Sequence, residues 1–149
     1  MKMKIKKQAL SLIEKYCTND PFKLCEFLNI AVEYAELGNM RGYYYQNENG
    51  SIIMLDSRLN EHIQKFVCAH EIGHYVLHDG MNRVFLSDST LLNAAKYERE
   101  ANEFSMCILF PDDEEFLSLG DTIHKISVVT GISEPFIQLR VKNIDKGEK

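Results

Sequence analysis

The stretch Phe66–His78 reads FVCAHEIGHYVLH and contains the pattern HExxH, formed by His70, Glu71 and His74. Residues four apart on a helix lie on one face, roughly 6 Å from each other along the axis. The imidazoles of His70 and His74 would therefore reach a single metal ion. Glu71 follows about 100° further round the helix, where its carboxylate would meet a water molecule without binding the ion itself. The stretch predicts a helix that carries two metal ligands and a general base.

The residues around this motif indicate a buried helix. Ile63 and Val67 lie on the same side of the helical wheel as His70, and Ile72 and Val76 lie on the opposite side. A helix that is apolar on both sides is a central one, and buried imidazoles beside a carboxylate need a partner that offsets their desolvation. A metal ion is such a partner. HExxH also arises by chance in about one chain in a few hundred of this length, so the motif alone leaves a packed histidine pair open.

Composition predicts a single folded domain over residues 1–149, since the chain is 45% hydrophobic and 26% charged. The net charge of -5 argues against a general nucleic-acid or membrane-surface binder. The N-terminal segment lacks the apolar run of a signal peptide, and no stretch approaches the length of a membrane span. The four cysteines (Cys17, Cys25, Cys68 and Cys107) form no CxxC pair, so we expect reduced thiols in a cytoplasmic protein.

The first third of the chain predicts two helices and a small sheet. Amphipathic spacing predicts a helix over Lys4–Tyr16, and Asp20 before a proline predicts the cap of a second, short helix. Strand-forming residues occupy Ala31–Leu37, Gly42–Gln46 and Ser51–Asp56. The turn sequence NENG between the last two predicts a β-hairpin. If that hairpin forms the sheet edge beside the HExxH helix, an extended peptide could add to it as a further strand.

The rest of the chain predicts helices. The HExxH helix should begin near Asn60 and end at Asp79-Gly80, and a second long helix should cover Leu91–Phe110 and stop at Pro111. Helices packed around a small sheet are typical of the α+β class.

The C-terminal segment, residues 121–144, predicts short helices broken at Gly120 and Gly131, with a spacing that resembles a helix-turn-helix. DNA binding would need a basic face. The charges of this segment and its flank nearly cancel: Lys125, Arg140 and Lys142 stand against Asp121, Glu134 and Asp145. We therefore expect helical packing or docking of a partner protein rather than DNA binding.

A third metal ligand is needed from another element. His78 lies eight residues past His70, about 12 Å along a regular helix, which is too far for both to bind one ion. His78 is better placed to hydrogen-bond a metal ligand or to line the pocket beside the ion. The alternative is a hydrogen-bonded histidine that only packs in the core. Tyr75 is a second candidate for the pocket wall. Glu98 and Glu100 on the next long helix are the carboxylates within reach.

Helical periodicity distinguishes these two carboxylates. Glu98 shares its face with small residues that would let two helices approach closely, whereas Glu100 falls on the other face. We therefore predict Glu98 as the third ligand; the alternative is a buried ion pair with Arg83 or Arg99. Asn102, one turn after Glu98, is placed to hydrogen-bond a metal-bound histidine and fix its tautomer.

The segments AHEIGHYVLH and YEREANEFSMCILFP together resemble the ImmA/IrrE family of zinc metallopeptidases. The likeness extends over about residues 20–140, and HExxH followed by ExxxN is far more specific than HExxH alone. The resemblance implies a site with two histidines and one glutamate, which fall on His70, His74 and Glu98, and a general base at Glu71. Zinc is the implied ion, although such a ligand set also accepts manganese.

The resemblance also implies a partner. Short members of the family occur in mobile elements and prophages, where they cleave a repressor of helix-turn-helix type. This implies a cytoplasmic zinc endopeptidase directed at one repressor. Two other function classes stay open, namely a non-catalytic partner of a repressor or antitoxin with a structural metal, and a DNA-binding regulator.

Overall fold

Helices surround a three-stranded sheet in the part of the chain described by the structure, a computed structural model covering residues 2–78 and 94–144. In chain order the elements are α1 (Lys2–Tyr16), α2 (Pro21–Phe27), β1 (Ile30–Ala35), β2 (Gly42–Asn47), β3 (Gly50–Asp56), α3 (Glu61–Leu77), α4 (Ala94–Leu109), α5 (Asp113–Leu117), α6 (Ile123–Thr130) and α7 (Glu134–Val141). The predicted α+β class is confirmed.

The sheet has the order β1-β3-β2. β2 and β3 form the predicted hairpin, with Gly42 opposite Leu55, and β1 pairs with β3 in parallel, with Ile30 opposite Ser51. β2 therefore lies at one edge of the sheet. The tight turn between β2 and β3 needs Gly50, whose φ of 135° is one that side chains with a Cβ rarely adopt.

Side-chain caps fix where α2 and α3 begin. Asp20 accepts a hydrogen bond from the backbone N–H of Phe22 at 3.0 Å, and Asn60 accepts one from the N–H of Ile63 at 3.0 Å. Both predicted caps are confirmed. The predicted end of α3 at Asp79-Gly80 and the predicted start of α4 at Leu91 lie outside the described residues.

α3 is the central helix, with buried side chains facing both the sheet and α4. Gly73 lets α3 and α4 approach closely. A Cβ at this position would lie 3.1 Å from Cδ1 of Phe104 and 3.3 Å from Cα of Ala101.

We expect Gly73→Ala to destabilise the protein despite the better helix propensity of alanine. The propensity gain is about 1 kcal/mol, whereas overpacking a filled core costs about 1–3 kcal/mol. The cost should win because Phe104 and Ala101 are fully buried and one contact is with backbone. Urea unfolding of the two proteins measures the difference. A variant more stable than the wild type would mean that the helices can separate freely.

The C-terminal helices are held to the rest of the protein by buried polar contacts. Arg140 on α7 is fully buried; its Nη2 lies 2.6 Å from Oδ1 of Asp113, and its Nε donates to the carbonyl of Phe110 at 2.8 Å. Lys6 on α1 donates to the same Asp113 carboxylate and to the carbonyl of Asn143. Gly131, with φ of 75°, ends α6 as predicted. Arg140 thus joins helices and does not contribute to a basic surface.

We expect Arg140→Met to lower the free energy of unfolding by about 3 kcal/mol or more, because it removes one partner of a buried ion pair. Lys142→Met is the matched control, since Lys142 is an exposed cation two residues away. Urea unfolding of both variants measures the effect. Equal stabilities would show that the buried guanidinium is not needed to hold α7.

All four cysteines are free thiols, as predicted, and Cys17 alone among them is exposed. Burial raises the pKa of the Cys107 thiol to about 11, so it stays protonated at neutral pH. Within the ranges that the structure covers, no helix has both the length and the apolar character needed to cross a membrane.

Candidate metal centre

Three predicted ligands converge between α3 and α4. Nε2 of His70 lies 2.9 Å from Oε1 of Glu98, and Nε2 of His74 lies 3.1 Å from Oε2 of the same carboxylate. The two imidazole Nε2 atoms are 3.2 Å apart. One donor atom from each residue lies within 4.8 Å of the other two, the spacing expected of side chains that hold one ion. The close approach of the helices at Gly73 brings these side chains together.

The cluster is shielded on the histidine side and open on the carboxylate side. The side chains of His70 and His74 are 12% and 8% exposed, whereas that of Glu98 is 47% exposed. Hydrogen bonds with His70 and then with His74 hold the pKa of Glu98 well below its usual range. Glu98 is therefore an anion at neutral pH, the form that binds a metal.

The hydrogen bond between His70 and Asn102 determines which ring nitrogen of His70 carries the hydrogen. Nδ1 of His70 lies 2.7 Å from the amide oxygen of Asn102, and because that oxygen only accepts, Nδ1 carries the hydrogen. In a neutral His70 the lone pair is then on Nε2, which either shares a proton with the Glu98 carboxylate or binds a cation. Two acceptors 2.9 Å apart need a proton or a cation between them. The donor set therefore fits a divalent cation such as zinc.

A second set of contacts begins at Nδ1 of His74, the ring nitrogen that does not face Glu98. Nδ1 of His74 is 3.0 Å from Nδ1 of His78, and Nε2 of His78 is 3.0 Å from Oε1 of Glu100. The aromatic ring of Tyr97 packs on the His78 ring at a centroid distance of 4.6 Å. His78 thus contacts a predicted ligand by its ring nitrogen, as its position four residues after His74 suggests.

The prediction that Glu100 faces away from the histidine helix is wrong. Its side chain is long enough to reach His78 although Glu98 and Glu100 leave α4 in different directions, and a helical wheel does not show this reach. The sequence did contain a signal. His70, His74 and His78 repeat every four residues on one helix face, so the third histidine needs its own hydrogen-bond acceptor.

Two further predicted residues, Glu71 and Tyr75, lie on α3, the helix that carries both histidines. Glu71 is buried on α3 directly after His70. Tyr75 is partly buried and packs against Tyr44 of β2, with ring centroids 5.6 Å apart. Tyr75 therefore connects α3 to the edge strand of the sheet. Arg83, a possible partner for Glu98, lies outside the described residues.

Comparison with known proteins places these residues in a family. The family model Peptidase_M78, described as IrrE N-terminal-like domain, matches residues 25–142. Immunity region protein 2 of Bacillus phage phi105 is 34% identical over 139 residues, covering 91% of this chain and 88% of that protein. Metallopeptidase ImmA of Bacillus subtilis (strain 168) is 27% identical over 108 residues, covering 72% of this chain and 64% of that protein. Because the matched family model spans both helices of the cluster, the chain belongs to the ImmA/IrrE family of M78 peptidases.

Proposed function

We propose that the protein is a zinc-dependent endopeptidase that cleaves one cytoplasmic protein, a repressor of helix-turn-helix type, and so relieves repression. The observation that carries this proposal is the convergence of His70, His74 and Glu98, with the buried Glu71 next to His70 on the same helix. Two histidines and a glutamate with a neighbouring general base form the ligand set of a hydrolytic zinc site.

Each residue has a defined part in the proposed reaction. His70, His74 and Glu98 would hold the ion, which when bound supplies a Lewis acid that lowers the pKa of water. Glu71 accepts a proton from the attacking water and returns it to the nitrogen of the leaving amine. Asn102 keeps the His70 ring in one tautomer. Manganese would suit the same ligands.

The edge strand β2, which packs on the histidine helix α3, suits an extended substrate. β2 runs along α3 and contacts it through Tyr44 and Tyr75. Within the described ranges, β3 is the one strand that pairs with β2, and we propose that a peptide backbone binds along the other edge of β2. An extended segment of the repressor would add to β2 as a further strand and bring its scissile bond beside the histidines.

The identity of the substrate class is supported by the relatives. One is an immunity region protein of a phage and the other is a metallopeptidase. The structure gives no support to DNA binding by the C-terminal helices, because Arg140 is buried and Lys125 is paired with Asp121 at 3.2 Å. We therefore propose a protein target.

The direct test uses purified protein, zinc and the helix-turn-helix repressor encoded nearest to its gene. We expect cleavage at one bond, located by intact mass and by sequencing the new N-terminus. A repressor that stays intact with zinc-loaded protein, while its promoter is released in cells that contain both proteins, would favour a non-catalytic partner instead.

A further inference from the structure

We propose that Glu100 is a positioning residue that acts through His78 to fix the imidazole of His74 for metal binding. The proposal rests on the metal site proposed above and adds a residue to it. Among the residues that the structure describes, Glu100 contacts the site through its hydrogen bond to His78.

With His78 neutral, the hydrogen bonds of this chain run in one direction. An ionised carboxylate accepts and does not donate, so Nε2 of His78 carries the hydrogen that Glu100 binds at 3.0 Å. Nδ1 of a neutral His78 is then an acceptor. Nδ1 of His74, 3.0 Å away, donates to it and carries the hydrogen of that ring. The lone pair of His74 is left on Nε2, the atom directed at Glu98.

Burial makes this relay difficult to replace. The His78 side chain is 6% exposed, and its ring packs between His74, at a centroid distance of 5.2 Å, and Tyr97. Glu100 is 27% exposed, so its charge is partly shielded from solvent. Water therefore has little access to Nδ1 of His78, the nitrogen that faces His74. Nε2 of the same ring is bound by the Glu100 carboxylate.

The two candidate histidine ligands are therefore oriented by different means. His70 donates directly to the amide oxygen of Asn102, which is neutral. His74 is connected through His78 to the carboxylate of Glu100. A carboxylate hydrogen-bonded on the side of a histidine away from the metal makes the imidazole a more basic ligand. Removing Glu100 should consequently weaken metal binding without removing any ligand.

The first experiment measures the zinc dissociation constant by competition with a chromophoric chelator. We expect Glu100→Ala to raise the constant about 10-fold to 100-fold, the usual range for removing such an outer partner. Glu100→Gln should raise it less, because the amide oxygen still accepts from His78 but carries no charge. Glu103→Ala is the matched control: it removes a carboxylate from the same helix, one that binds Asn143, and should leave the zinc constant unchanged.

A double-variant cycle tests whether Glu100 acts through His78. His78→Phe keeps an aromatic ring against Tyr97 but removes both nitrogens, and it should weaken zinc binding by itself. Adding Glu100→Ala to His78→Phe should then cause no further loss. An additive loss would mean that Glu100 acts on the site by another route, and the relay would be wrong.

The second experiment is independent of zinc. Nitrogen-15 NMR of histidine side chains in the metal-free protein reports which ring nitrogen carries the hydrogen. We expect Nδ1 of His74 to carry a hydrogen in the wild type and in Glu103→Ala, whether or not Nε2 shares a proton with Glu98, and to lose this hydrogen in part in Glu100→Ala. A merely structural role for Glu100 would change stability and leave the tautomer of His74 as it was.

The outcomes separate this proposal from the one on which it rests. A wild-type protein that binds no zinc overturns the metal site, whatever the tautomers are. A wild type that binds zinc, with unchanged constant and tautomer in Glu100→Ala, overturns the positioning role alone. If Glu100→Ala does not fold by circular dichroism, the zinc constant of Glu100→Gln decides in its place, and a constant equal to that of the wild type overturns the role.

Discussion

Glu71→Gln is expected to abolish proteolysis while zinc remains bound. Glutamine has the shape of glutamate but cannot accept a proton from water, and loss of a general base lowers a rate about 10²-fold to 10⁴-fold. The ligands His70, His74 and Glu98 are untouched, so the zinc content should stay at the wild-type value. Cleavage of the repressor by gel or mass spectrometry and zinc analysis of the same sample measure both quantities.

The matched control for this variant is Glu61→Gln, which makes the same change on the exposed first turn of α3. Its cleavage rate should equal that of the wild type. In cells, a promoter controlled by the repressor should remain silent with Glu71→Gln and become active with Glu61→Gln. If Glu71→Gln still releases the promoter, the protein inactivates its partner without hydrolysis.

His70→Ala is expected to lose the metal and, with it, much of the thermal stability. A ligand present at 100 times its dissociation constant stabilises the folded state by about 2.7 kcal/mol. For a chain of this size, 1 kcal/mol corresponds to roughly 3–5 °C in melting temperature, so the loss should be about 10 °C. Elemental analysis and thermal unfolding, each with and without a chelator, measure the two effects.

Two comparisons make this result specific. A chelator should lower the melting temperature of the wild type and leave that of His70→Ala unchanged. His124→Ala removes an exposed histidine that is paired with Glu134, and it should respond to the chelator as the wild type does. If the chelator shifts His70→Ala as much as the wild type, the stabilising ion is bound elsewhere.

The sequence predicted those features that depend on neighbours along the chain. Asn60 caps α3 and Asp20 caps α2 because each side chain binds an N–H two or three residues on, a local contact visible in the sequence. That histidines four residues apart share one face of a helix also follows from the local sequence alone. The meeting of His70 and His74 with Glu98 across two helices was predicted from a helical wheel and from the family resemblance together, and the structure brings the three side chains together.

Contacts between distant parts of the chain were harder to predict. The parallel pairing of β1 with β3 has no local signature, since either orientation suits the same strand residues. Arg140 looked like a surface cation, but its partner Asp113 lies 27 residues earlier and meets it only in the folded chain. Glu100 was assigned to the wrong side because a wheel gives the direction of the Cβ and not the reach of a flexible side chain.

The close contact of α3 and α4 at Gly73 has a consequence for how a cation would enter. Backbone and core packing set the gap between the two helices, so the positions of the three ligands are fixed when the chain folds. The ordering entropy of the three ligands is then largely spent before any ion arrives. A preorganised site of this kind would exchange its cation past the exposed Glu98 without unfolding of the protein. Its selectivity among metal ions would follow from the fixed spacing of the three ligands, because the ligands would not move to suit each ion.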